Sequence, residues 1–187
     1  MWAQRDQRRE ATPSHPGGDK GVGASQGRAP SARGLLPAPL NAPLIVLDTG
    51  VVVRALTGRP GSASSEVVLA VQTGEVRLAV CDAFLIETTR VLREPRVESR
   101  IGSAGRAFEV ALDLAFMGRH HRPQRYDWPS VPDPKDYWMV DLALAAEADF
   151  IVTWDPHLLD HEIPLPVEIA TPERFLEQLR RQEPESH

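Results

Sequence analysis

The sequence predicts an α/β fold: a three-layer α/β/α domain built on a mostly parallel, twisted sheet of four to five strands. Three observations carry this expectation. Short strand-like stretches recur at Leu44–Leu47, Arg77–Cys81, Phe150–Thr153 and Val167–Ile169, and helical patterns separate them. The first run is apolar at every position, as in strands buried on both faces. Strands that alternate with helices come together as a parallel sheet covered on both sides.

A chain of 187 residues that is 42% hydrophobic can bury one ordinary core. Residues 1–42 are rich in Gly, Pro, Ser, Ala and Arg and are expected to form a disordered low-complexity tail. The domain is expected over 43–181, with a C-terminal tail over 182–187. Net charge is −5, so the surface as a whole is not coated for nucleic acid, and any such binding must use a local patch. Cys81 is the sole cysteine. No internal disulfide can form, and a reducing cytoplasm is the natural setting. The longest apolar runs are too short for a membrane span, and the N-terminus carries no signal-peptide core, so a soluble, unexported protein is expected.

Taken in order, the first strand ends on Asp48-Thr49-Gly50, where an acid either caps the next helix or points into the crevice at the strand's carboxyl end. A helix over Ser62–Gln72 has Ser62 or Ser64 to cap it and Gly74 to stop it. Asp82 is expected to cap a helix running to about Arg93, before Pro95. Arg96–Ile101 suits another short helix. Over Ala104–Met117, the residues Phe108, Ala111, Leu112, Ala115 and Phe116 have core-facing spacing, and Gly118 closes the helix. Prolines leave Arg119–Pro132 without a clear element. Tyr137–Ala148 is an Ala- and Leu-rich helix, and Thr171-Pro172-Glu173 opens a last helix that reaches about Arg180.

Four carboxylates stand where carboxylates are costly. Glu87 shares its helical stripe with Phe84 and Val91, and Asp136 lines up with Val140 and Ala143. Asp155 repeats the strand-end placement of Asp48. If they converge, each ionised pair at about 5 Å repels by roughly 3 kcal/mol, a conflict that a hard divalent cation removes. Oxygen-only ligands select Mg²⁺ or Mn²⁺, and such a centre activates water against a phosphodiester.

The ordered set Leu47-Asp48-Thr49, Leu85-Ile86-Glu87 with Val91-Leu92, Asp133-Pro134-Lys135-Asp136 leading into Leu142–Ala146, Ala148–Asp155 with Leu158-Leu159, and Thr171–Leu176 resembles the PIN-domain nucleases. Within them it is similar to the VapC-like toxin components of toxin–antitoxin pairs. The resemblance implies that Asp48, Glu87, Asp136 and Asp155 hold Mg²⁺ or Mn²⁺ and that RNA is cut by a metal-activated water. It implies Thr153 as a hydroxyl supporting Asp155, and Asp133 as an outer acid or a turn residue before Pro134. It also implies a homodimer and an inhibitory antitoxin whose basic side chain enters the acidic pocket. Asp141 is left to solvent or structure.

Three positions depart from the family pattern. Gly50 stands where a polar residue is usual, Tyr137 follows the third acid, and Trp154 interrupts the usual Thr-Gly-Asp. Weakened catalysis is therefore the alternative, with the chain serving as a PIN-fold interaction module. Asp48-Thr49-Gly50 also matches an aspartic-protease loop, but one copy amid helices does not make the paired acids that chemistry needs. His157 and His161 invite a zinc site without further ligands. Arginines such as Arg90 and Arg93, or the run Arg119 to Arg125, would supply phosphate contacts if they flank the pocket.

Overall fold

The computed structural model describes residues 39–124, 137–160 and 167–182. Among these residues, five strands form one parallel sheet in the order β3-β2-β1-β4-β5: β1 is Leu44–Leu47, β2 Arg77–Val80, β3 Arg119–His120, β4 Phe150–Val152 and β5 Glu168–Ala170. Between them lie α1 (Thr49–Thr57), α2 (Ala63–Thr73), α3 (Asp82–Leu92), α4 (Pro95–Ile101), α5 (Ala104–Met117), α6 (Tyr137–Ala146), α7 (Pro156–Leu159) and α8 (Pro172–Gln182). The α/β class and the parallel sheet agree with the sequence pattern.

β1 is central because all four of its residues are apolar and buried, and it pairs with β2 on one side and β4 on the other. From β1 the chain winds outward through β2 to β3, then returns to add β4 and β5 on the opposite side. Strand order therefore reverses between β1 and β4. Open α/β sheets form their ligand crevice at such a switch point, beyond the strands' carboxyl ends.

Helix ends follow their local chemistry. Ser62 caps α2 by accepting from the Ser65 amide, and Gly74 ends it at φ 78°, a left-handed conformation that costs glycine little. α3 differs from expectation. Cys81, not Asp82, is its N-cap, with no side-chain cap bond, and Asp82 instead accepts from His120 Nε2 at 2.9 Å. That bond ties the start of α3 to the edge strand β3. β3 itself was illegible because its two residues are both exposed and carry no apolar signal.

α5 also corrects the sequence pattern. Phe108, Leu112 and Phe116 are 61%, 53% and 79% exposed, whereas Ala107, Val110, Ala111 and Leu114 are buried. Apolar residues surround this helix on nearly every side, so periodicity alone could not choose its inner face. Small Ala107 and Ala111 allow close packing against the neighbouring layer, and the large side chains turn outward. At the other edge, Phe150 of β4 meets Phe175 of α8 edge-on, with ring centroids 5.2 Å apart.

Candidate active site

Asp48 and Asp155 sit at the carboxyl ends of β1 and β4, the two strands flanking the switch point. Parallel register sets Leu47 opposite Val152, and the Asp48 amide donates to the Val152 carbonyl at 3.0 Å. Thr153 therefore stands beside Asp48. Its hydroxyl donates to Asp48 Oδ2 at 2.7 Å and accepts from the Asp155 amide at 2.9 Å. The expected support of Asp155 by Thr153 thus runs through the Asp155 backbone. The carboxylate that Thr153 touches is that of Asp48, because lateral register brings it within reach.

Both acids also cap helices. Asp48 Oδ1 accepts from the Gly50 amide at 3.0 Å, and Asp155 Oδ1 accepts from the His157 amide at 2.8 Å. Capping does not exhaust a carboxylate, which offers about four lone-pair sites. Gly50 supplies the donor from its backbone. A Cβ there would lie 3.4 Å from Asp48 Oδ2, in ordinary van der Waals contact with the acid.

Glu87 lies on α3, which packs against α1. Thr88, the next residue, is buried, and its hydroxyl lies 3.1 Å from that of Thr49, which follows Asp48. Glu87 is half-buried, and its Oε2 accepts from Trp138 Nε1 at 3.1 Å. The Trp138 ring stacks on Phe84 with centroids 5.6 Å apart, which fixes the start of α6 against α3. Sequence reasoning missed this tryptophan. Its signal was an indole with a donor set among apolar residues, where burial demands a partner.

Among the described residues, Asp48, Glu87 and Asp155 make no ion pair with lysine or arginine. Asp155 Oδ2 and Glu87 Oε1 accept no hydrogen bond there. The donor set is all oxygen, which suits a hard divalent cation. No group of three or more His, Cys, Asp or Glu side chains placed to hold a metal ion occurs among the described residues. Asp136 and Asp133, with Arg125 and His161, lie outside them.

The remaining candidates fall elsewhere. Arg90 pairs with Glu94 at 3.3 Å on an exposed surface, and Arg90 and Arg93 line a groove of about 650 Å³ with Leu85, Ile86, Phe108 and Leu112. Asp141 is buried on α6. Burial, with Asp82 and Asp141 nearby, pushes the Cys81 thiol above its ordinary range.

The PIN-domain family model matches residues 44–157, more than half of the chain. The chain belongs to the PIN-domain family. PIN domains are generally nucleases, which supports a hydrolase acting on nucleic acid, and they typically use divalent metal ions. Among solved structures, the PIN chain is similar to VapBC2 from Rickettsia felis bound to a DNA fragment from its promoter. Identity is 14% and the TM-score 0.43, covering 68% of this chain and 98% of that one. No curated protein matches it. No helix among its described residues is long and apolar enough to cross a membrane.

Proposed function

We propose that this PIN domain is a metal-dependent endoribonuclease that hydrolyses RNA phosphodiesters, with Asp48, Glu87, Asp136 and Asp155 as ligands for Mg²⁺ or Mn²⁺. The observation that carries the proposal is the Thr153 hydroxyl, which links Asp48 to Asp155 at the switch point. When bound, the metal supplies a nucleophilic water at neutral pH and stabilises the leaving oxygen. The chain's own part is to hold the acids in place: Thr153 fixes Asp48, Trp138 fixes Glu87, and the Thr49–Thr88 contact locks α1 to α3.

The sequence motifs support a place among VapC-like toxins, with a cognate antitoxin as partner and the cytoplasm as setting. A homodimer fits the α3–α5 face. Ile86, Phe108, Leu112 and Phe116 are exposed there, and the rim carries both signs in Arg90, Arg93, Glu94 and Glu109. A face with both charges can meet its own copy across a two-fold axis. Arg90 and Arg93, as lining residues of that groove, are weaker candidates for RNA phosphate contacts.

Incubation of the purified protein with a mixed RNA pool, with and without Mn²⁺, followed by sequencing of the ends, tests the proposal. Cleavage that needs metal and disappears in Asp48→Asn is expected. A metal that binds only the folded state also raises the melting temperature. Absence of both effects favours the alternative, a catalytically weakened PIN-fold interaction module, for which Gly50 and Trp154 are the observations.

A further inference from the structure

Trp154 is one of the three positions that depart from the family pattern, and the structure gives the indole two tethers. Its Nε1 donates to Ser64 Oγ at 3.0 Å, and Ser64, on α2, is buried. The Arg54 guanidinium, from α1, lies over the ring at 4.9 Å from its centroid. The backbone of Trp154 lies between Thr153, which holds Asp48, and Asp155. The arginine therefore stacks on the side chain of the residue that separates Thr153 from Asp155 in the sequence.

We infer that Arg54, stacked on Trp154, is a substrate-binding residue that holds an RNA phosphate beside the proposed acidic site. The inference rests on the nuclease reading and names how that site draws in its substrate. Asp48, Glu87 and Asp155 repel a polyanion, and the net charge of −5 offers no general attraction. A fixed cation beside them offsets that repulsion. Arg54 is exposed and has no carboxylate within ion-pair distance among the described residues, so its donors remain for a ligand.

Stacking also decides which part of the RNA it meets. With the guanidinium over one face of Trp154, that face is closed to a base, whereas the planar fork suits two phosphate oxygens. Holding the guanidinium on the ring removes rotamer freedom before binding, which lowers the ordering cost when the phosphate arrives. Contact with phosphate alone carries no base preference. Arg54 therefore contributes affinity and register, while sequence choice comes from elsewhere.

The test uses the full chain and a labelled mixed-sequence single-stranded RNA, titrated in EDTA over a salt series, with cleavage followed separately in Mn²⁺. Arg54→Gln is expected to raise Kd and KM roughly three- to tenfold, leave kcat within about twofold, and lessen the log Kd against log salt slope by about 0.7. Arg54→Lys retains the slope. Trp154→Phe, which keeps an aromatic face for the guanidinium but drops the Ser64 bond, retains the slope and weakens binding a few-fold. If Arg54→Gln binds with wild-type slope and affinity while wild-type protein cleaves RNA, the inference falls and the nuclease reading stands. If wild-type protein neither binds nor cleaves RNA, both fall.

Discussion

The Thr153 hydroxyl and the Asp48 carboxylate are 2.7 Å apart across adjacent parallel strands, and the same hydroxyl receives the Asp155 amide. One small polar side chain thus couples the two strand-end acids. Thr153 is fully buried, so its removal leaves a donor and an acceptor without their partner. Thr153→Val is expected to lower stability by about 1–3 kcal/mol and to shrink the metal-induced rise in melting temperature. Thr153→Ser keeps the hydroxyl and should preserve the metal response. Thermal scans with and without Mn²⁺ check both, and an unchanged metal response in the valine variant would remove Thr153 from the site.

The exposed face of α3 and α5 predicts self-association. Leu112 is 53% exposed beside Phe108 and Phe116, so a charge there costs little in the isolated fold and much in an apolar interface. Leu112→Glu is expected to convert a dimer to a monomer in light scattering, with the monomer's helical circular dichroism unchanged. A wild-type protein that is monomeric at tens of micromolar, an order-of-magnitude working range, contradicts the prediction.

Gly118 follows α5 where the chain turns into β3. A Cβ there would collide with Val80 Cγ1 and lie 2.9 Å from the Leu114 carbonyl. Val80 belongs to the central part of the sheet and is fully buried, so it cannot swing away. Gly118→Ala should destabilise by about 1–3 kcal/mol through overpacking, read as a lower urea midpoint with an unchanged m-value. A wild-type midpoint would show that β3 shifts to make room.

His121 predicts a pH dependence. Burial, aided by the positive charge of Arg119 and by His120, holds its imidazole below the ordinary histidine range, and its Nε2 finds no hydrogen-bond partner among the described residues. The folded state therefore binds this proton more weakly than the unfolded chain does. Stability from His121 is present above the unfolded value of 6.5 and declines as pH falls below it. Urea midpoints at pH 7.5 and 5.5, chosen as roughly a unit either side of that value, should fall less in His121→Gln than in wild type. Equal falls would assign the acid sensitivity to other groups.

Much of this protein was set by its sequence alone. Unbroken apolar runs such as Leu44–Leu47 specify buried parallel strands, since only a doubly covered sheet hides both faces of such a run. Asp48, directly beyond such a run, and Asp155, three residues past Val152, were legible as strand-end acids for the same reason. Tertiary structure alone decided which side chains meet across the sheet. Register placed Thr153 against Asp48, packing chose Ala107 and Val110 over Phe108 and Phe116 as the inner face of α5, and the junction of α1 with α2 brought Arg54 and Ser64 to Trp154. Those contacts join residues distant along the chain, and a one-dimensional pattern holds the period of an element without holding what lies beside it.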